Sequence, residues 1–144
     1  MDDSQRFNRE RYKFWLSEHV RFSDLDMLGH VNNNSVGQYF EDAFTSFYIK
    51  LVPTWPREKR IFIMASYTID FRRELHRGDQ LEVGCCVSKI GNTSMKIASA
   101  IFHDGAGVAY CENTSVLIDR ETRTPTPISD GVRTLLAPFM DGSL

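Results

Sequence analysis

The sequence predicts an α+β protein, one long amphipathic helix followed by an antiparallel sheet. Three observations carry this: the apolar spacing of residues 35–51, the plain alternation of residues 93–103, and turn signals that separate the strand-like runs. Strands linked by hairpins after one helix imply a single sheet packed on that helix. At 144 residues the chain suits one domain over 1–144, with its core at about 14–120 and a C-terminal extension at 121–144.

Each element follows from local chemistry. Residues 1–11 are charged and poorly periodic, and read as a frayed lead-in. Phe14 to Phe22 is rich in aromatic and β-branched residues and predicts a first strand. Asn33 or Asn34 offers an N-cap, because a short amide side chain accepts from the free N–H groups of a first turn. From Ser35 to Leu51 the apolar residues Val36, Phe40, Ala43, Phe44, Phe47 and Leu51 recur at three and four, which is one wide helix face; Pro53 and Pro56 end it. Ile61–Arg73, Leu81–Ile90, Thr93–His103 and Val108–Asp119 read as strands, divided by Gly78-Asp79, Gly91-Asn92 and Asp104–Gly107. Met95, Ile97, Ser99 and Ile101 share one face, Lys96, Ala98, Ala100 and Phe102 the other. Thr122–Pro127 is turn-like, and Asp130 to Ala137 predicts a short closing helix.

Composition narrows the function classes. A hydrophobic content of 42% and a charged content of 25% are ordinary for a soluble globular protein, and a net charge of −2 gives no reason to expect nucleic acid as partner. No apolar run approaches a membrane span, and the start Met1-Asp2-Asp3-Ser4-Gln5 is unlike a secretory signal. Cys85, Cys86 and Cys111 lack metal-ligand spacing and read as reduced thiols, Cys85 and Cys86 on opposite sheet faces; no metal is expected, and the compartment expected is the cytoplasm.

The densest chemistry lies at residues 24–33, Asp-Leu-Asp-Met-Leu-Gly-His-Val-Asn-Asn, between the first strand and the helix. Two carboxylates, an imidazole and an asparagine pair sit beside a helix N-terminus, where free backbone N–H groups can polarise a carbonyl. Hydrolysis of an activated acyl group needs a carboxylate to attack or to deprotonate water, donors for the developing oxyanion, and a dry acyl channel. Asp26 can supply the first and the amides of Val31 to Asn33 the second. Asp24 reads as a turn residue, and Asn33 as a cap first and an oxyanion contributor second.

A strand, D-x-D-x-x-G-H-V-N-N, an aromatic-rich helix and four further strands resemble the hotdog-fold thioesterases, in which a sheet wraps a central helix. The branch resembled is that of 4-hydroxybenzoyl-CoA thioesterase, with partial similarity to the acyl-carrier-protein thioesterases. Supporting signs are Phe71-Arg72-Arg73-Glu74, Gly78-Asp79-Gln80-Leu81-Glu82-Val83 and Lys89-Ile90-Gly91-Asn92-Thr93-Ser94. The resemblance implies an acyl-CoA thioesterase that releases a free acid and coenzyme A, needs no cofactor, and works as a homodimer or homotetramer with sites at a subunit interface. It makes Asp26 the catalytic carboxylate, places His30 at the catalytic histidine of the carrier-protein branch, and gives Glu74 an assisting acidic position. Leu28 stands where that branch has Asn. Substrate-binding positions implied or offered by the residues are Gly29, Val31, Asn32, Asn33, Phe40, Glu41, Arg73, Gly91, Thr93 and Ser94. Arg57, Lys59, Arg60, Arg72, Arg73 and Arg77 are candidate partners for coenzyme A phosphates. Two alternatives are a hotdog enoyl-thioester hydratase, against which the four-residue spacing of Asp26 and His30 argues, and a non-catalytic acyl-thioester binding module.

Overall fold

A computed structural model of the chain describes residues 1–143. In order it contains α1 (Asp3–Arg6), β1 (Phe14–His19), α2 (Asn33–Leu51), β2 (Arg60–Phe71), β3 (Gln80–Ile90), β4 (Ser94–His103), β5 (Ala106–Asp119) and α3 (Asp130–Leu136), with short 3₁₀ turns between some of them. The strands form one antiparallel sheet in the order β1-β3-β4-β5-β2, so β1 and β2 are its edges. The α+β expectation holds.

The helix α2 lies across one face of the sheet and buries Val36, Tyr39, Phe40, Ala43, Phe44, Phe47 and Tyr48. Against it stand Val83, Cys85 and Val87 of β3, Met95, Ile97 and Ile101 of β4, and Ala109, Cys111 and Leu117 of β5. Each such aromatic or aliphatic side chain contributes about 1.5–3 kcal/mol on leaving water. The helix begins at Asn33, and its cap is Asn32, whose side chain accepts from the Asn34 amide at 2.8 Å. The sequence favours Asn33 or Asn34 because three consecutive asparagines are chemically equal candidates. Asp104-Gly105 closes a two-residue β4–β5 hairpin with both residues at positive φ (49° and 78°), the geometry that matches strand twist.

Two readings need correction. The first strand stops at His19, and a 3₁₀ turn at Phe22–Asp24 follows instead of further strand. Residues 1–11 are docked, not frayed. Helix α1 carries a capping box from Asp2, and Phe7, Tyr12 and Trp15 pack with Cys86, Ala98, Ala100, Phe102 and Tyr110 on the outer sheet face. Gly84 permits this approach, since a Cβ there would lie 2.8 Å from Tyr12. Arg11 is fully buried against Asp141 of the tail, and Asp141 and Gly142 bond back to Val87 and Arg11 through their amides. Cys85 and Cys86 face opposite layers as expected. All three cysteines are free and buried, and burial raises the Cys85 and Cys86 thiols to about 12.

Candidate active site

The segment from Leu25 to Val31 turns back on itself through an isolated antiparallel bridge between those two residues. The turn is tight because Asp26 closes it: its amide donates to the His30 carbonyl at 2.7 Å, and its carbonyl accepts from Gly29 at 3.1 Å. Gly29 sits at φ +78°, which a side chain would strain. The Asp26 carboxylate finishes the loop, with Oδ1 accepting from the Leu28 amide at 2.8 Å and the His30 amide at 3.1 Å. No described residue bonds Oδ2.

A second carboxylate locks the loop to the helix. Asp24 Oδ2 accepts from the Tyr39 hydroxyl at 2.7 Å and from the Arg21 amide at 3.0 Å, while its carbonyl accepts from the Asn32 amide at 2.9 Å. Burial pushes the Asp24 carboxyl up, but these donors outweigh it and hold the group below its ordinary value. The turn role read for Asp24 fits this geometry, whereas Tyr39 was not legible because its ring also serves the core. Tyr39→Phe is expected to cost about 1.5–3 kcal/mol, the range for a hydrogen bond to a charged group, read as a lower urea midpoint at unchanged slope.

The helix end supplies one donor. Of the amides of Val31 to Val36, those of Val31, Asn32, Asn34, Ser35 and Val36 have acceptors, and only that of Asn33 has none among the described residues. Asn33 and Asp26 both line a cleft of about 350 Å³ with His30, Val31, Val36, Phe71, Arg72, Arg73, Glu74, Leu75, Val108 and Ala109. His30 Nε2 lies 3.8 Å from Glu74 Oε2, and the His30 and His76 rings meet edge to face at 6.3 Å. Arg72 is already engaged: its Nε and Nη2 donate to the two oxygens of Asp3 at 2.7 and 3.1 Å. Among the described residues no group of His, Cys, Asp and Glu is arranged to hold a metal ion.

The cleft thus joins Asp26, His30, Val31, Asn33, Arg73 and Glu74. The other positions named from sequence fall elsewhere. Phe40 is buried at 1% exposure in the core, where it stacks on Phe44. Asn32 caps the helix, and Gly29 shapes the turn without lining the cleft. Glu41 lines a separate groove of about 270 Å³ between α2 and β2, with Asn33, Asn34, Gly37, Gln38, Tyr67 and Ile69. Gly91, Thr93 and Ser94 occupy the β3–β4 turn, at the end of the sheet opposite the β4–β5 turn, and they contact the C-terminal extension: Arg133 donates to the Gly91 carbonyl at 2.7 Å. Sequence order hides this, because only the strand order shows which end of the sheet a hairpin occupies. Val108 and Ala109 were also missed; apolar strand residues carry no signal beyond the core.

A helix laid along the concave face of a five-stranded antiparallel sheet, with an Asp-bearing turn at the helix start, defines a hotdog-fold protein. The chain belongs to the thioesterase-like superfamily, whose profile matches residues 20–136. It is 29% identical over 86 residues to the uncharacterized protein YsmA of Bacillus subtilis (strain 168), a match over 60% of this chain and 58% of that relative. Its fold is similar to a thioesterase from Thermus thermophilus solved with coenzyme A and zinc: TM-score 0.82, 27% identity, covering 90% of this chain and 96% of the other. It is likewise similar to the PA5185 protein of Pseudomonas aeruginosa strain PAO1, with TM-score 0.83, 25% identity, and coverage of 92% and 95%.

Proposed function

We propose that the chain is a thioester hydrolase that converts an acyl-CoA to a free carboxylic acid and coenzyme A. The observation that carries this reading is the pairing, on one cleft, of an Asp26 oxygen free of protein donors with an Asn33 amide free of protein acceptors, both among the described residues. A thioester carbonyl set between them meets an attacking group on one side and an oxyanion donor on the other. Asp26 Oδ2 takes a proton from water as its oxygen bonds to the carbonyl carbon. The tetrahedral intermediate is held by the Asn33 N–H, and its collapse breaks the C–S bond and returns the proton to the thiolate. Direct attack by Oδ2, which expels the thiolate and leaves a mixed anhydride that water then opens at the Asp26 carboxyl carbon, meets the same geometry. A single turnover in ¹⁸O-water labels Asp26 by that route and the product acid by the general-base route. His30 contacts the thioester, and Glu74 orients its imidazole. Coenzyme A bound in the Thermus relative supports a coenzyme A thioester as substrate. The decisive measurement is thiol release over a panel of aromatic and aliphatic acyl-CoAs; tight binding without release would instead make the chain a binding module.

The working unit is a homodimer paired through β2. That edge strand is twelve residues long and leaves Ile63, Tyr67 and Phe71 exposed, a surface that invites another strand. An antiparallel two-fold across β2 sets the Arg60 end of one copy beside the Phe71 end of the other. It thereby carries the hairpin of Gly91, Thr93 and Ser94 towards the partner's cleft. Light scattering is expected to give twice the chain mass. Tyr67→Pro, at a position whose amide points away from β5 and towards the free edge, is expected to give monomers with thiol release lowered at least tenfold; a wild-type monomer with full turnover would remove the dimer.

A further inference from the structure

The Asp26 cleft continues in two directions, and they differ in charge. Through Asn33 it adjoins the α2–β2 groove, whose described lining has no cation and carries the Glu41 carboxylate. Through Arg73, Glu74 and Val108 it adjoins a larger cavity of about 640 Å³ that reaches His76, His103 and Asp104 at the β4–β5 turn. A coenzyme A thioester has one polyanionic end, and that end avoids the groove with the lone carboxylate. Arg72, the other cation at the cleft, already holds Asp3.

Resting on the thioesterase reading, we infer that the cavity between the Arg73–Glu74 segment and the β4–β5 turn is the subsite for the nucleotide phosphates of the substrate, and that it accepts them together with a proton on His103. His76 and His103 line that cavity with Arg73, and His30 lines the adjoining cleft. His30 faces Glu74 at 3.8 Å and His76 edge to face; His76 Nδ1 lies 4.0 Å from Asp79, Asp79 lies 3.6 Å from His103, and His103 lies 3.4 Å from Asp104. The cavity lining sets Arg73 against Glu74 and Asp104, so a neutral His103 leaves an anion repelled, while a proton on His103 balances the two carboxylates and lets Arg73, His103 and the ring N–H of His76 hold a phosphate. The Gln80 carbonyl, 2.9 Å from His103 Nδ1, favours the protonated ring; partial burial opposes this and Asp79 and Asp104 add to it, so His103 is held above its ordinary value. A bound phosphate, by linkage, stabilises the same proton.

The test compares an acyl-CoA with the same acyl group on pantetheine, which lacks the nucleotide. The ratio of kcat/KM for the two is expected to favour the CoA ester about tenfold at pH 6 and to fall towards one by pH 8.5. In His103→Gln the ratio at pH 6 is expected to drop at least threefold and its pH dependence to flatten, and in the more exposed His76→Gln the ratio is expected to fall at every pH. Adenosine 3′,5′-bisphosphate is expected to inhibit acyl-CoA turnover competitively and more weakly as pH rises. A ratio near one at every pH, or a pH dependence untouched in His103→Gln, overturns the inference while the hydrolase stands. If neither thioester is cleaved the hydrolase reading fails. Calorimetry with adenosine 3′,5′-bisphosphate then decides the subsite: binding with proton uptake that is lost in His103→Gln supports it, and no binding overturns it.

Discussion

Asp26→Asn is expected to reduce thiol release from acyl-CoA by about 10³-fold or more while leaving the melting temperature within about 2 °C of wild type. The two halves of this expectation come from the two oxygens of one carboxylate. Oδ1 is structural: it accepts from the amides of Leu28 and His30, and the amide oxygen of asparagine can do the same. Oδ2 has no partner among the described residues, and in the proposed hydrolase its replacement by an NH₂ removes the base or nucleophile. Asp26→Ala removes the same chemistry and the two turn hydrogen bonds as well. At about 1 ± 0.5 kcal/mol each, it should be less stable than Asp26→Asn by about 1–3 kcal/mol. Kinetics with a panel of acyl-CoAs, and urea unfolding of both variants, check the two claims separately. Asp26→Asn with near wild-type turnover would move the chemistry to another group, and equal stability of the two variants would remove Oδ1 from the turn.

This division also shows how far the amino-acid sequence reaches. The junction of residues 24–33 is conspicuous because several special residues crowd one gap, and local hydrogen bonds then place Asp26, His30 and Asn33 on one cleft. The helix and the β4 alternation are legible for the same reason, since periodicities of 3.6 and 2 are properties of neighbouring residues. What escapes depends on distant residues. Nothing local distinguishes Asn32 from its two successors as the cap until Asp24 fixes the Asn32 amide. The Gly91–Ser94 hairpin reads as an element of the same site, and only the strand order shows that it lies at the opposite end of the sheet. Residues 1–11 lack periodicity because they cross the sheet as a strap, and a strap contacts its support only at scattered points: Phe7 on Phe102, Tyr12 between Trp15 and Phe102, Arg11 on Asp141.

Asp141→Ala is expected to destabilise the chain by about 3–5 kcal/mol, because it leaves the Arg11 guanidinium buried without its counter-ion. Both partners are out of water, with side-chain exposures of 0% for Arg11 and 3% for Asp141, and Nη2 and Nε of Arg11 lie 2.8 and 2.9 Å from the same Asp141 oxygen. The other oxygen accepts from the Ser143 amide and hydroxyl, so the carboxylate joins the N-terminal strap to the last residues of the tail. Replacing both partners, as in Arg11→Met with Asp141→Leu, should recover most of the loss, since neither charge is then stranded. Acid should reproduce part of the effect. Burial pushes the Asp141 carboxyl up, yet the hydrogen bonds from Arg11 and Ser143 outweigh it and the group ends below its ordinary value. Its stabilisation is therefore complete above the unfolded carboxyl value of about 4 and is lost as pH falls through the lower folded value. Urea midpoints measured from pH 6 down to pH 2 should show a smaller acid loss in the double variant than in wild type. The same variants report on the cleft, because the strap that Arg11 anchors also carries Asp3, which holds Arg72 at the rim. Loosening the strap frees that guanidinium, so the KM for an acyl-CoA should change more than the KM for its pantetheine counterpart. Equal stability of Asp141→Ala and wild type would mean that the tail and the strap do not depend on this pair.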